Sequence, residues 1–259
     1  MNETEIVEIS TRVLERLSIM GDELINNLSC EKMIFPQKKN EEKERRISEQ
    51  ELRFVFVDEF LKRCKEGYYY SVETPTEKKY SFGKCFCDIR VDKYDGQSAL
   101  SDMMIYKREK EKYTRNLNIE FKYANVELSH IAKDILKLLH ENQNGAFIHL
   151  LKNTDSGTLC NNTDPNANKE KKCKDDIDKG TGVLNKLRHS FNKFKNWNSG
   201  ENKQITIVIM SLDQKALIYR IIKKGDLDKN IDTIFFNGGC DDILKIKGSE
   251  WNIVKLNRL

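Results

Sequence analysis

The sequence predicts an α/β protein in which a central mixed β-sheet is flanked by helices. Two observations support this class. Amphipathic segments with helical spacing alternate along the chain with short runs of strand-forming residues. Between residues 48 and 151 the order is helix, several strands, helix, strand, which places helices against a sheet. The chain has 259 residues, enough for one large domain or for one domain with an appendage.

The N-terminal part of the chain is predicted to be a helical appendage followed by a linker. Residues 3–28 carry apolar residues at mostly helical spacing, which indicates an amphipathic helix or a pair of helices. Residues 36–46 are charged and poor in apolar residues. We therefore divide the chain into a helical segment with linker at 1–46 and a main domain at 47–259. The helix either mediates dimerisation or partner docking, or packs on the main domain.

The main domain begins with a helix and continues into a sheet. Ser48 and Glu51 have the spacing of a capping box, and the apolar stripe that follows predicts a helix packed on a sheet. Strand-forming runs follow at 68–73, 80–91, 99–106 and 117–123. A second helix at about 127–141 and a strand at 145–151 complete this series.

The C-terminal part begins with a long polar segment at 152–180, and loops of this length are usually functional or disordered. An amphipathic helix is predicted near 181–197 and a strand at 204–212. Three shorter strands are predicted near 216–223, 232–236 and 252–257.

The strand "LNIEFKY" at 117–123 has a polar face that an ordinary core strand lacks. Because side chains alternate along a strand, Glu120 and Lys122 share one face. Asp102 begins the preceding strand, and it reaches that face if the two strands are adjacent and antiparallel. Two carboxylates form an oxygen-rich site suited to Mg²⁺, beside which a lysine can orient or help deprotonate a water. A solvated Glu120–Lys122 ion pair is the ordinary alternative, and Asp88 and Asp92 are the alternative ligands if Asp102 is not one.

These residues resemble a known signature. "SD" at 101–102, followed after 17 residues by "EFK", is similar to the PD-(D/E)xK motif of the restriction-endonuclease-like nuclease superfamily, with Ser101 in place of the proline. The resemblance covers about residues 48–151 and implies a restriction-endonuclease-like core. It implies that Asp102, Glu120 and the Phe121 carbonyl bind the metal and that Lys122 is catalytic. Glu51 matches a supporting glutamate of the first core helix, although the capping box alone also explains it.

The function that this resemblance implies is a Mg²⁺-dependent endonuclease, with Mn²⁺ as a substitute ion, in a restriction or phage-defence setting. DNA is expected as substrate in preference to RNA. The alternatives are an RNA-cleaving nuclease of the same fold and a non-catalytic member that binds nucleic acid or a partner protein.

Charge is balanced over the whole chain but not locally. The 45 Lys and Arg residues against 41 Asp and Glu residues leave only +4, so no overall basic field points to nucleic acid. Lys137, on the second helix, is expected to contact a phosphate near the metal. Four basic residues of the 181–197 helix are expected to face outward and bind the nucleic-acid backbone, although a solvated helix face is the alternative. They are Lys186, Arg188, Lys193 and Lys195.

The sequence also predicts a cytoplasmic protein that does not enter membranes. The acidic start lacks the features of a secretory signal, and the longest apolar run is "ITIVIM". The seven cysteines are predicted to be reduced thiols, because their odd number and scattered positions do not form a disulfide framework.

Overall fold

The computed structural model describes residues 1–21, 33, 37–38, 41–45, 47–83, 85–154, 156–160, 182–197, 202–229, 231–235, 243–246 and 250–256. The helices in these ranges are α1 Glu3–Gly21, α2 Glu49–Arg63, α3 Leu128–His140, α4 Ser156–Leu159, α5 Val183–Phe194, α6 Lys224–Lys229 and α7 Ile231–Phe235. The strands are β1 Gln37–Lys38, β2 Glu41–Arg45, β3 Tyr68–Ser81, β4 Arg90–Val91, β5 Gln97–Glu109, β6 Lys112–Tyr123, β7 Asn144–Leu151, β8 Gln204–Ser211, β9 Ala216–Lys223 and β10 Asn252–Lys255. None of the described helices is long and apolar enough to cross a membrane.

Eight of these strands form one mixed sheet in the order β10-β9-β8-β7-β6-β5-β3-β4, and β1 and β2 form a separate antiparallel pair. Strands β6, β7 and β8 are parallel, and the other neighbours are antiparallel. Helix α3 connects β6 to β7, as a parallel pair requires a crossover. The predicted α/β class, a mixed sheet flanked by helices, is confirmed.

Each face of the sheet is covered by a pair of helices, because the strands are apolar on both sides. Helices α3 and α5 share one buried cluster with Phe147 and Ile207. Helices α1 and α2 share the other, in which Phe56 of α2 contacts Phe121 of β6 with ring centroids 5.2 Å apart. The candidate site lies where α2 and α3 approach β5 and β6.

Helix α1 is part of this layer, so the prediction of an appendage is wrong for residues 3–21. Val13, Leu14 and Leu17 are fully buried in the same cluster as Phe121. The Arg16 guanidinium also contacts Glu59 of α2 at 2.9 Å. Helix α1 therefore packs on the main domain, which was one of the alternatives given for this segment. Residues 22–28 of the predicted helical segment lie outside the described ranges.

Two predicted strands have a different structure. Over 80–91 the strand ends at Ser81, and a tight turn follows in which Asp88 accepts a hydrogen bond from the Cys85 N–H at 3.4 Å. At 232–236 the chain forms α7 instead, and Phe235 packs on Phe191 of α5 with centroids 5.0 Å apart. In both segments tertiary contacts outweigh strand propensity, as is common for short elements.

The polar segment 152–180 lies mostly outside the described residues. Cys64, Cys85 and Cys87 are reduced thiols, as predicted. Cys160 is disulfide-bonded, so the prediction that all cysteines are reduced is wrong at this position.

Candidate active site

The candidate site begins where β5 and β6 separate. The antiparallel pairs of these strands begin at the hairpin turn, where Glu109 pairs with Lys112, and end where Met103 pairs with Ile119. One residue further, the Asp102 side chain bridges the two strands, because its Oδ2 accepts the Phe121 N–H at 2.7 Å. The structure therefore brings together Asp102 and the "EFK" strand, as the sequence predicted. The same bond fixes the direction of the Asp102 carboxylate.

Glu120 is completely buried on the α3 face of β6. Its Oε2 accepts a hydrogen bond from Lys137 Nζ at 2.6 Å, whereas its Oε1 is buried without a hydrogen-bond partner in the part of the chain that the structure describes. Burial raises the pKa of Glu120 well above its usual value, although the charge of Lys137 acts in the opposite direction. A carboxylate of this kind is costly unless a cation or a proton satisfies it.

Lys122 shares the face of Glu120 and is held by carboxylates. Its Nζ lies 2.6 Å from Asp134 Oδ2 and 3.8 Å from Glu49 Oε2, and it donates to the Phe121 carbonyl at 2.8 Å. Burial alone would lower the pKa of Lys122, but the charges of Asp134, Asp102 and Glu49 raise it above its ordinary value. Lys122 therefore remains protonated and acts as a donor.

Lys137 is buried in the site and not exposed to a ligand, which corrects its predicted role as a phosphate contact. Its Nζ donates to the Leu100 carbonyl at 2.9 Å and lies 3.2 Å from Asp134 Oδ1. Helix α3 crosses β5 and β6 with this side chain facing the sheet, so the ammonium ends beside Glu120.

Asp134 is a site residue that was not predicted. It binds both Lys122 and Lys137, and these two charges lower its pKa below the usual value despite its burial. The signal for it was its position three residues before Lys137 on α3, which places both side chains on one face of the helix. The sequence does not show whether that face is buried or wet.

Glu51 lies in the cap of α2 and not in the site. Its Oε2 accepts the Ser48 N–H at 2.8 Å, which completes the capping box. The α2 residues that reach the site are Glu49 and Arg53. Arg53 binds Asp102 Oδ1 at 2.6 Å and Glu49 Oε1 at 2.7 Å. Residues 49 and 53 share a helix face because they are four apart, whereas residue 51 points elsewhere.

Glu73 lies beside Asp102 in a strained conformation. Its φ is 48°, which is in the left-handed region. In the pairing of β3 with β5, Glu73 lies between Val72, the partner of Met103, and Thr74, the partner of Ser101. The Arg53 guanidinium lies 3.8 Å from its carboxylate. Strain of this kind costs about 1–3 kcal/mol and is concentrated at functional sites.

The donor chemistry of this cluster fits a divalent cation with a preference for oxygen. Five carboxylates face three cationic side chains among the residues described, and the buried Glu120 Oε1 is left without a partner. Asp102 and Glu120 would hold the ion, and the Phe121 carbonyl, which faces Lys122, retains a second lone pair. Mg²⁺ and Mn²⁺ both bind oxygen donors of this type.

The two alternative aspartates do not join this cluster. Asp88 closes the turn with Cys85, and Asp92 Oδ1 accepts the N–H groups of Tyr94 and Asp95 at 3.2 and 3.0 Å. Both therefore serve local turns, which leaves Asp102 as the β5 carboxylate of the site.

The predicted basic face of α5 is largely not a free surface. Lys186 is buried, and its Nζ donates to Asn125 Oδ1 at 2.8 Å and to the Val126 carbonyl at 2.7 Å. Lys193 lies over the Phe86 ring, with Nζ 4.4 Å from the centroid. Arg188 is half-buried, and only Lys195 of these four is exposed. The outward orientation predicted for Lys186 is wrong, because the helix buries more than its apolar stripe.

No family model, curated protein or solved structure matches this chain. The functional conclusion therefore depends on the residues and geometry of the site.

Proposed function

We propose that this protein is a metal-dependent phosphodiesterase of the PD-(D/E)xK type that cleaves nucleic acid, with DNA as the preferred substrate. The observation that carries the proposal is the cluster at the separation of β5 and β6. There Asp102 binds the backbone of the "EFK" strand, and Glu120 presents a buried oxygen without a partner. The order helix, three long strands, helix, strand over α2 to β7 agrees with the core that the resemblance implies.

In this proposal each residue has a separate task. A bound divalent cation supplies a Lewis acid that screens the charge of the phosphodiester under attack. Asp102 and Glu120 hold the ion, with Asp102 fixed by the Phe121 N–H. Lys122, which is held by Asp134 and directed along the Phe121 carbonyl, donates hydrogen bonds to the attacking water or to the phosphate. Asp134 keeps the Lys122 ammonium in place.

A second candidate is a non-catalytic member of the same class that binds nucleic acid or a partner. The observation in its favour is that a cationic side chain bonds each of three carboxylates: Arg53 bonds Asp102, Lys137 bonds Glu120, and Lys122 bonds Asp134. A network closed in this way also satisfies buried charges without any metal.

Cleavage assays separate the two candidates. Purified protein is incubated with supercoiled plasmid and with RNA, each in Mg²⁺, Mn²⁺ or EDTA, beside the Asp102→Asn variant. We expect plasmid nicking or linearisation with either metal, none with EDTA, and at least a hundredfold loss in Asp102→Asn. Cleavage of RNA alone would identify the RNA-specific alternative. Absence of cleavage under all conditions would favour the non-catalytic candidate.

A further inference from the structure

An exposed aromatic and basic patch lies on the long β5–β6 hairpin, outside the candidate active site. Tyr69 of β3 and Tyr113 of β6 are 41% and 54% exposed. Their rings pack edge to face, with centroids 4.9 Å apart. The Arg108 guanidinium lies 6.0 Å from the centroid of the Tyr113 ring. We call Tyr69, Tyr113 and Arg108 the tyrosine patch.

The tyrosine patch lies on the same face of the sheet as Asp102. Side chains alternate along β5, so Asp102, Tyr106 and Arg108 share one face. Tyr69 is the register partner of Tyr106, and Tyr113 is the partner of Arg108, so both rings are on that face. Asp102 and Arg108 are six residues apart, which corresponds to about 20 Å along a strand.

The β5–β6 hairpin that carries most of the patch has an excess of positive charge. Residues 107–115 contain five Lys and Arg residues and two Glu residues. Of these, Lys107 pairs with Glu109 at 3.2 Å. Arg115 is the register partner of Tyr106 and lies on the same face, but its guanidinium is 3.4 Å from Glu77 and 3.6 Å from Glu141. The excess of positive charge therefore lies at the hairpin tip. This excess of positive charge favours a phosphate backbone.

We propose that the tyrosine patch binds unpaired nucleotides of the nucleic-acid strand that enters the active site. The bases stack on Tyr69 and Tyr113, and Arg108 contacts the backbone. Exposed aromatic rings beside basic side chains are the two features with which proteins hold single strands. A duplex keeps its bases stacked internally, so it offers phosphates to the basic side chains but no base to the rings. The inference rests on the proposed function and specifies the form of its substrate.

The test measures affinity without cleavage. Fluorescence anisotropy in EDTA gives the Kd for a labelled single-stranded DNA of about 12 nucleotides, a length within the usual range of single-strand sites, and for the matching duplex. We expect the Tyr69→Ala/Tyr113→Ala variant to lose at least tenfold in single-strand affinity and little in duplex affinity. Tyr69→Phe/Tyr113→Phe retains both rings and is expected to stay within about twofold of the wild type.

Tyr94→Ala is the matched control, because Tyr94 is exposed but lies in the turn after β4. It should leave both affinities unchanged, and thermal melting confirms that each variant is folded. Two results would overturn this inference alone, provided that the wild type cleaves nucleic acid. One is an unchanged single-strand affinity in the double alanine variant. The other is a loss of duplex affinity as large as the loss of single-strand affinity. If the double alanine variant loses only single-strand affinity but the wild type cleaves no nucleic acid, the proposed function alone is overturned. Absence of binding in the wild type overturns both.

Discussion

At the scale of single residues, the site is defined by how each charge is held. Asp102 and Glu120 differ in their surroundings although both are acids of one site. Asp102 accepts a backbone N–H and an arginine, whereas Glu120 is buried against one lysine and has one oxygen without a partner. If the proposed metal site is correct, this oxygen makes Glu120 the residue most dependent on an added cation.

Replacing Lys122 separates chemistry from metal binding. Lys122→Met removes a donor but no metal ligand, so cleavage should fall about 10²–10³-fold, as when one preorganised donor is lost, while Mn²⁺ affinity measured by calorimetry remains. Lys255→Met, at an exposed lysine of β10 on the opposite edge of the sheet, is the control and should retain full activity. A Lys122→Met variant that loses Mn²⁺ binding together with activity would indicate that this lysine only maintains the structure of the site.

The sequence predicted well that Asp102 meets the "EFK" strand, but it predicted the surroundings of this cluster poorly. Asp102, Glu120 and Lys122 were predictable because strand alternation and an antiparallel pair determine which side chains meet. Glu51 was taken as the supporting glutamate from the resemblance, and Glu49 was not predicted, because the sequence does not show how the start of α2 is placed relative to β5. Asp134 and Lys137 could not be placed, because periodicity shows which residues share a face but not what that face contacts.

At the scale of elements, the connection from β6 to α3 is held by buried polar side chains. Lys186 of α5 binds Asn125 and Val126, and His149 Nε2 lies 2.7 Å from the Ala124 carbonyl oxygen. Ala124 itself has a φ of 59°, in the left-handed region. Since this connection begins two residues after Lys122, these contacts hold the end of β6.

Lys186 is therefore expected to act on stability and not on nucleic-acid affinity. Lys186→Met should lower the free energy of unfolding by about 1–3 kcal/mol, because the two hydrogen bonds donated by the buried Lys186 ammonium are lost. Lys195→Met, on the exposed part of the same segment, should change it by less than about 0.5 kcal/mol. Urea denaturation measures both. A stable Lys186→Met variant with a flatter salt dependence of DNA binding would restore the original prediction of a basic binding face.

At the scale of the whole molecule, the sheet is held between two helical layers, and α1 belongs to one of them. Long strands and helices were predictable because their periodicity extends over many residues, and most predicted bounds lie within a few residues of those observed. The short segments at 80–91 and 231–235 were not predictable, since contacts with distant parts of the chain determine their structure. The inclusion of α1 in the core was likewise left open, because an amphipathic helix shows that it needs a partner but not which one.

The stability of the whole fold should depend on pH through Lys203. Its Nζ donates to the carbonyls of Leu139, at 2.9 Å, and Glu141 at the end of α3. Burial lowers the pKa of Lys203 to about 7. Since the unfolded chain then binds more protons than the folded one, stability should rise from pH 7 towards the ordinary lysine pKa, with a slope of at most about 1.4 kcal/mol per pH unit.

Urea denaturation at intervals between pH 7 and pH 9 tests this slope. Lys203→Met removes the titrating group and should flatten the rise relative to the wild type, whereas Lys215→Met, in the exposed turn before β9, should not. Parallel pH profiles for the wild type and Lys203→Met would show that this lysine retains its ordinary pKa.

The central claim is that Asp102 and Glu120 form a divalent-cation site, and direct metal binding tests it without any assumption about substrate. Calorimetric titration with Mn²⁺ compares the wild type with Glu120→Gln and with Glu51→Gln, the same chemical change made in the α2 cap, where glutamine also completes a capping box. We expect Glu120→Gln to bind Mn²⁺ at least tenfold more weakly, because an anionic ligand is lost, and Glu51→Gln to match the wild type. Equal Mn²⁺ affinity in the wild type and Glu120→Gln would contradict the claim.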